Sequence, residues 1–454
     1  QRQMCIRDRN SIASSRELLN RFVSFYSNAS YTYDDKYVLS GSIRWDRSNL
    51  WGTNSKYQNK PLWSVGGSWN IYKEKFFQAD FVDMLKLRAS YGIGGNIGRN
   101  TAPYLIASYY DSSLVDGMAG SVNTPPNKDI RWEKTTTVNV GVDFALFRHR
   151  LSGTIEYYNK YSVDLLAAIN GSPTQGFGYT TLMTNNGKMV NRGVEITLSG
   201  EIIRQKDFSW NASLLYAFNR NKVKHISVQP SLWDSRISMP TSYPMVGKPL
   251  YGIYAYKWAG LNENGDPQVY DAENNVTSGP ARDYHALVYC GTTVPIHNAS
   301  LTNVLRYKGF EFSAMLILDA GHKLRSSNIP SINMSNGRIT STAKGIVDRW
   351  TQPGDVTDVP RLLFSNDTEN FNTHRTELYR YSDLFVYDAS NIRLSNISLA
   401  YRVPAHWCKK ISLSGARLQF NVENVATFAF DSKANYDLGG KVKPNYVWGL
   451  YLNF

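Results

Sequence analysis

The stretch Lys134–Phe147 (KTTTVNVGVDFALF) decides how the chain is read. Val138, Val140, Val142, Phe144 and Leu146 alternate with Thr137, Asn139, Gly141, Asp143 and Ala145. A period of two places the first set on one face of a β-strand and the second on the other. The residues that follow repeat the pattern. Leu151, Gly153, Ile155 and Tyr157 oppose Ser152, Thr154, Glu156 and Tyr158. Val194, Ile196, Leu198 and Ile202 oppose Glu195, Thr197, Ser199 and Glu201. Trp210, Ala212, Leu214, Tyr216 and Phe218 oppose Ser209, Asn211, Ser213 and Asn219, and Phe310–Asp319 alternates in the same way. The chain ends on Tyr446, Trp448, Leu450, Leu452 and Phe454.

Weaker alternation covers 18–33, 36–47, 61–74, 83–93, 297–307, 391–403 and 411–423. Two of these runs change phase, near Asn396 and near Gly415, and a β-bulge at each place would explain the slip. Together the runs make about 13 strands of roughly ten residues, the length that crosses a bilayer at a tilt.

The connections carry equal weight. Short ones fall near 33–36, 75–82, 147–149, 204–207, 307–309 and 404–410. Long ones fall near 48–60, 94–133, 162–190, 220–296, 321–390 and 424–444, the longest reaching about 70 residues, far beyond ordinary loops. Every second connection is therefore a tight turn. A soluble sandwich or propeller has no reason to keep that parity. An outer-membrane barrel does, because its periplasmic turns are short and its outer loops long. The fold expected is all-β, a transmembrane antiparallel barrel.

Composition agrees. The chain has 454 residues and a net charge of +13, with 30 tyrosines, 42% hydrophobic and 19% charged residues. The hydrophobic fraction excludes a disordered chain. Mean hydropathy is −0.38, and no uncharged apolar run is long enough for a transmembrane helix. The positive charge is scattered singly, with no basic helix or zinc-ligand spacing, so nucleic acid is not an expected partner. Cys5, Cys290 and Cys408 are far apart and form no CxxC. Cys290 falls in a long outer connection and Cys408 in a short periplasmic one, so they are not expected to pair. The first residues, QRQMCIRDRN, have no apolar segment of a secretory signal. The string resembles translated sequencing adapter, and Gln1–Arg9 is read as non-native within an irregular segment 1–17. The barrel region is expected over 18–454.

Several ordered blocks resemble the SusC/RagA family of TonB-linked outer-membrane proteins. They are Arg21–Phe77 (RFVSFYSNASYTYDDKYVLSGSIRWDRSNLWG…PLWSVGGSWNIYKEKFF), Leu85–Asn96 (LKLRASYGIGGN), Ile130–Leu166, Asn185–Leu198 (NNGKMVNRGVEITL), Phe208–Val223 and Tyr387–Asn424. The resemblance covers nearly everything from about residue 18 onward. It implies a barrel of about 22 strands around an N-terminal plug. This chain would be the C-terminal part, with plug, TonB-contacting segment and about nine strands absent. A partial sheet leaves edges that a membrane does not tolerate, so the fragment is not expected to transport alone. The resemblance further implies an outer-membrane location among lipid, energy through the TonB complex, a SusD-like surface lipoprotein, and oligosaccharide or peptide cargo. The ending Tyr446, Trp448, Leu450, Leu452 and Phe454 fits the aromatic terminus that such barrels present for assembly.

No catalytic constellation accompanies this. The seven histidines lie outside any HExxH or cysteine pair, and no GxSxG elbow is present. His149 and His322 fall at barrel rims without a nucleophile motif, so an enzyme is not expected. Gly92-Ile-Gly-Gly-Asn-Ile-Gly98 misses the dinucleotide spacing by one residue and reads as the start of an outer loop. Asn262-Glu-Asn264-Gly-Asp266-Pro, with Glu273 at the twelfth position, approximates a calcium loop. Asn262 replaces the first acid and Pro267 the turn glycine, and both changes weaken a cation site. The long connection 220–296 also holds Trp233, Tyr243, Tyr251, Tyr254, Tyr256, Trp258, Tyr284 and Tyr289. Aromatic faces stack on sugars and anchor protein contacts, and they also pack loop cores. Both readings stay open. Other functions weighed are a receptor for an iron chelate or vitamin, a passive porin and a barrel enzyme.

Overall fold

The computed structural model describes residues 21–454 apart from 51–53, 55–56, 58–59, 99–102, 113–116, 173, 175–180, 231–234, 280–282, 335–341, 365–372, 411 and 439–442. Strands run in chain order as follows. The first are β1 (Phe22–Tyr33), β2 (Tyr37–Ser48), β3 (Leu62–Asn70), β4 (Val82–Asn96), β5 (Ile106–Ser112) and β6 (Gly117–Thr124). Next come β7 (Glu133–Leu146), β8 (Leu151–Asn170), β9 (Thr181–Arg204) and β10 (Phe208–His225). Five short strands follow: β11 (Gly252–Tyr256), β12 (Trp258–Leu261), β13 (Pro267–Tyr270), β14 (Val276–Thr277) and β15 (Leu287–Thr292). Then β16 (His297–Tyr307), β17 (Phe310–Ala320), β18 (Lys323–Arg325), β19 (Asn333–Met334), β20 (Leu363–Phe364) and β21 (Val386–Asp388). The last are β22 (Asn391–Arg402), β23 (Gly415–Ala429) and β24 (Asn445–Asn453).

Thirteen of these form one sheet in the order β1-β2-β3-β4-β7-β8-β9-β10-β16-β17-β22-β23-β24. Each neighbour is the next sheet strand in the chain, so the wall is an up-and-down antiparallel meander. Among the described residues β1 pairs only with β2, and β24 only with β23. Among the described residues no helix is long and apolar enough to cross a membrane.

Register explains the alternation. Val140 lies between Ala89 and Tyr157, whereas Asn139 lies between Ser90 and Tyr158. One face of the wall is thus apolar across strands. Val140 is 47% exposed and Tyr157 45%, which is where large apolar groups belong when the surrounding medium is hydrocarbon. Backbone groups along this face are satisfied strand to strand, as the bilayer interior demands. The short turns are tight. Asp34 and Asp35 both have φ 52°, and Lys36 N–H closes the turn on the Tyr33 carbonyl at 3.0 Å. Positive φ at both central residues gives the twist that a two-residue hairpin needs.

One expectation is borne out and three are corrected. The bulge near Asn396 is present, with Ser395 as the extra residue between Leu394 and Asn396. The slip near Gly415 is not a bulge. Strand β23 begins at Gly415, and Leu413 is buried in the preceding turn, its N–H bonded to the Cys408 carbonyl at 3.0 Å. The irregularity of β23 lies instead opposite Leu394–Asn396, where Asn424 takes φ 53°. The wall strands also exceed ten residues in places: β8 has 20, β9 24 and β10 18. The connection expected over 162–190 is largely a continuation of the β8–β9 hairpin, paired as far as Asn170 and Thr181. Residues 1–20, which contain the segment read as non-native, lie outside the described residues.

Candidate functional site

The polar face of the wall is a network rather than a row of isolated groups. Arg88 Nε donates to Asp143 at 3.2 Å, and its Nη2 also bonds Glu156. Thr154 donates to Asp143 at 3.0 Å and Asn139 to Glu156 at 3.3 Å. Beside Arg88 lies a groove of about 190 Å³ lined by Ser40, Ser68, Ser90 and Asn139. Toward the short-turn end, Glu311 accepts from Arg306 at 2.7 Å and from Arg417 at 3.2 Å. Near the opposite end Asp319 accepts from Asn298 at 2.6 Å and Arg393 at 3.1 Å. The register produces this: Asp143 opposes Lys86 and Thr154, and Glu156 opposes Gly141. Gly193 opposes Tyr158 on the same face, and a Cβ there would meet the Tyr158 ring at 2.4 Å.

The long connections 220–296, 321–390 and 424–444 build a packed lobe at the far end of the wall. Tyr254, Tyr256, Val269, Ala286, Leu287 and Leu378 form one core. Ile332, Tyr379 and Phe385 form a second, and Trp258 packs against both. Residue type explains the lobe: β11 (GIYAY) is buried on both faces, so it reads as continuous rather than alternating.

Arginines tie the lobe together. Asp266 accepts from Arg361 Nε at 3.1 Å and Nη2 at 2.8 Å, and from Arg375 Nε at 3.1 Å. Arg375 further donates to the Ile332 carbonyl at 3.1 Å and the Arg361 carbonyl at 2.7 Å. Arg325 Nη2 donates to the Tyr254 carbonyl at 2.7 Å, and its Nη1 to the carbonyls of Arg380 and Ser382 at 3.2 Å. Burial draws Arg375 and Arg325 below the usual arginine pKa. Asp437 accepts from Ser326 Oγ at 2.7 Å and Ser327 Oγ at 2.6 Å, which joins the 424–444 segment to the lobe. Such links are strong because the donors are charged or the acceptor ionised.

The calcium-loop spacing is therefore used differently. Asn262 Oδ1 accepts from the N–H groups of Asn264 (3.0 Å) and Asp266 (2.9 Å), making a compact turn. Gly265 takes φ 74° under the Trp350 ring. Both Asp266 carboxylate oxygens are held by guanidinium groups. Glu273 sits in a separate turn around Asp271. Among the described residues no group of three or more His, Cys, Asp or Glu could hold a metal ion.

The aromatic expectations divide. Tyr254 and Tyr256 are sealed in the lobe core and Tyr243 is buried, so none of these rings can stack on a ligand. Trp258 bonds Asp358 through Nε1 at 3.0 Å and packs on Tyr379. Tyr284 and Tyr289 are half-buried at the core's edge. Tyr251, 47% exposed, is free to meet a ligand. Trp233 lies outside the described residues. Tyr446, Trp448, Leu450 and Leu452 all point from the apolar face of β24, with Trp448 against Phe420 at 4.2 Å, and Phe454 is exposed at the end. Cys290 and Cys408 are both free thiols, and burial pushes the Cys290 thiol up to about 11. His322 is buried, which lowers its pKa, and its Nδ1 has no partner. His149 sits in the Phe147–Arg150 turn, its N–H bonded to Asp83 at 2.8 Å. Sequence reasoning missed Asp266 as an arginine acceptor, with Arg325, Arg361 and Arg375. Their partners are too far away in the chain to leave a local pattern.

Comparison with known proteins agrees with this architecture. The sequence model described as "TonB dependent receptor-like, beta-barrel" matches residues 7–425, starting within the segment read as non-native. TonB-dependent receptor P3 of Formosa agariphila is 27% identical over 94% of this chain and 43% of its own length. TonB-dependent receptor SusC of Bacteroides thetaiotaomicron is 25% identical over 89% of this chain and 40% of its own. In the structure of the RagAB peptide transporter, one chain superposes with a TM-score of 0.77 at 23% identity, over 96% of this chain and 48% of that one. The chain thus spans less than half the length of these relatives. TonB-dependent receptors are outer-membrane β-barrel proteins, and the thirteen-stranded wall is this chain's share of such a barrel. The chain belongs to the TonB-dependent receptor-like β-barrel family.

Proposed function

We propose that this chain forms the wall and outer lobe of an importer that draws oligosaccharides or peptides across the outer membrane, energised through TonB. A SusD-like surface lipoprotein is its expected partner, seated on the lobe, and no covalent chemistry is required of the chain. The observation that carries this reading is the conjunction of an ion-paired polar wall with a packed lobe built from the long connections. A wall of balanced charges suits repeated weak contacts with a passing polar cargo. A lobe with its own core suits a docking surface, because its exposed side chains are held in place before a partner arrives. Likeness to SusC and to the fold of RagAB supports the same reading.

The test is expression from the complete gene with an affinity tag on the outer lobe. Copurification with a surface lipoprotein, and loss of growth on an oligosaccharide or peptide when the gene is deleted, are the expected results. A protein that purifies alone and whose deletion impairs only growth under iron limitation would overturn the reading.

A further inference from the structure

The β8–β9 hairpin outruns the bilayer and ends beside a cavity. Its strands have 20 and 24 residues, about twice what a membrane crossing needs. The surplus packs against the end of β10 and the stretch that follows it. Asn186 Oδ1 accepts from the Ser227 N–H at 3.1 Å, and Asn170 Oδ1 from the Gln229 N–H at 2.9 Å. Val223 N–H donates to the Lys248 carbonyl at 2.9 Å, and Gly247 N–H to the Val223 carbonyl at 2.8 Å. Within this frame lies a cavity of about 350 Å³, whose lining includes Leu166, Met183, Met189, Val223, Ile226 and Leu250. Val223 is 4% exposed and Met183 49%, so the cavity runs from a sealed floor to an open mouth.

Two of these residues stand on the polar face of the wall. Gly193 opposes Tyr158 there, and steps of two along β9 lead from Gly193 to Met189, which pairs with Val223. Elsewhere that face carries Arg88, Asp143 and Glu156, so an aliphatic patch at its outer end is a local change of chemistry. Bulges bend the strands on both sides. Register shifts fall between Ser162 and Leu165 on β8 and between Val223 and His225 on β10. Asp164 takes φ 57° and is held by Arg131 at 2.8 Å. Bulges at barrel rims re-aim side chains, and here Leu165, Leu166 and His225 all reach the cavity lining.

Polar groups at the cavity are few. Glu133 already accepts from the Leu166 N–H and from Asn96 Nδ2, each at 2.9 Å. His225 Nε2 meets Ser227 Oγ at 3.3 Å. Lys188 is exposed on β9 and lines the cavity beside them. A saccharide suits this lining poorly. Among the described residues no Phe, Tyr or Trp is there to stack on a sugar ring, and few partners are there for its hydroxyls. An aliphatic side chain suits it, and a carboxylate on the same ligand matches Lys188. The end of a peptide supplies both groups on one residue.

We propose that this cavity receives the C-terminal residue of a peptide, with an aliphatic side chain among Leu166, Met183, Met189 and Val223 and the terminal carboxylate at Lys188. The inference rests on the import reading for its cargo, and it narrows that cargo to peptides.

The experiment uses the detergent-purified protein expressed from the complete gene, at fixed ionic strength. The calorimetric probes are triglycyl-leucine, its C-terminal amide, tetraglycine and maltotetraose. Triglycyl-leucine is expected to bind about tenfold more tightly than tetraglycine, the scale of discrimination that one aliphatic group commands. It should bind severalfold more tightly than its amide. Lys188→Gln should erase the preference for the free acid and keep that for leucine, and Lys188→Arg should keep both. Met183→Asp should erase the preference for leucine over glycine. Both peptides carry the same carboxylate, so that ratio reads the side chain alone. Lys188 and Met183 are exposed, so these variants are expected to fold. Equal binding of triglycyl-leucine and tetraglycine overturns the pocket, as does a leucine preference that survives Met183→Asp. A preference for the free acid that survives Lys188→Gln overturns the role of Lys188. Maltotetraose binding as tightly as triglycyl-leucine overturns the peptide assignment. Import of peptides with no preference at the C-terminus would sink this site and leave the import reading standing. Binding with the expected preferences, in a protein whose deletion leaves growth on peptides and oligosaccharides unchanged, would do the reverse.

Discussion

Arg375 reaches across 109 residues of chain to place its Nε 3.1 Å from Asp266 Oδ1. That contact joins the helix Thr373–Arg380 to the turn before β13, two parts of the lobe that arise from different barrel connections. Arg361 grips the same carboxylate at 2.8 Å, so one acid organises two cations. The arrangement makes the lobe a folding unit rather than a set of independent loops.

Removing Arg375 should therefore loosen the lobe and spare the wall. Arg375→Met strips Asp266 of one cation and the Ile332 and Arg361 carbonyls of their donor. Breaking a buried pair by deleting one partner costs about 3–5 kcal/mol. Amide hydrogen exchange of the membrane-embedded protein is expected to show lost protection in 252–292 and 373–388, with β7–β10 unchanged. Unaltered exchange in the lobe would refute the role given to the pair.

Tyrosines that look alike in the sequence should behave oppositely. Tyr256 is fully enclosed, and its N–H bonds the Tyr381 carbonyl at 2.9 Å. Tyr256→Ala removes a large buried ring and should destabilise the lobe by about 3–5 kcal/mol. Tyr251→Ala should stay within about 0.5 kcal/mol in stability, as surface changes do, and alter only cargo affinity. Protease resistance of the lobe distinguishes them. Equal resistance of the two variants would show that burial does not set their roles.

The Cys290 thiol gives a pH prediction. Burial raises its pKa to about 11. The thiolate is the reactive form, so at pH 8 labelling by iodoacetamide should run on the order of a hundredfold slower than for an ordinary thiol of pKa about 8.5. The rate should climb steadily up to about pH 11. The sign for stability follows: the folded state holds this proton more tightly than the unfolded one. The contribution is fully present below about pH 8.5 and is lost as pH rises through about 11. Rapid labelling at pH 8 in the folded protein would contradict the half-buried, desolvated environment of this thiol.

The wall was legible because its information is local. Alternation of Val138, Val140 and Val142 with Asn139 and Gly141 needs no knowledge of distant partners, and the phase slip around Asn396 revealed a real bulge. The slip near Gly415 misled because Leu413 is apolar for another reason: it is buried in a turn rather than set in a strand. The lobe was not legible. Trp258 N–H bonds Asp383 across 125 residues and Arg361 bonds Asp266 across 95, separations that leave no periodic trace. Composition showed that 220–296 is rich in tyrosine, yet it could not separate the sealed Tyr254 from the open Tyr251. The calcium-like spacing was a turn motif whose acid had been claimed by arginines far along the chain.

The two faces of β7 provide the sharpest test of membrane placement, because adjacent residues should respond in opposite ways. Val140 projects from the apolar face between Ala89 and Tyr157, and Asn139 from the polar face, bonded to Glu156 at 3.3 Å. An arginine on the lipid face of a barrel strand costs about 2–4 kcal/mol near the bilayer midplane, whereas a lumen-facing one is solvated. Val140→Arg should therefore sharply reduce the amount of heat-modifiable, folded barrel recovered in outer membranes. Asn139→Arg, placed beside the Glu156 carboxylate, should leave that amount nearly unchanged. The order of the pair matters more than either value: were Asn139→Arg the more damaging, the apolar face of β7 would have to be the lumen side, and the polar network around Arg88, Asp143 and Glu156 would have to face lipid, where nothing could satisfy it.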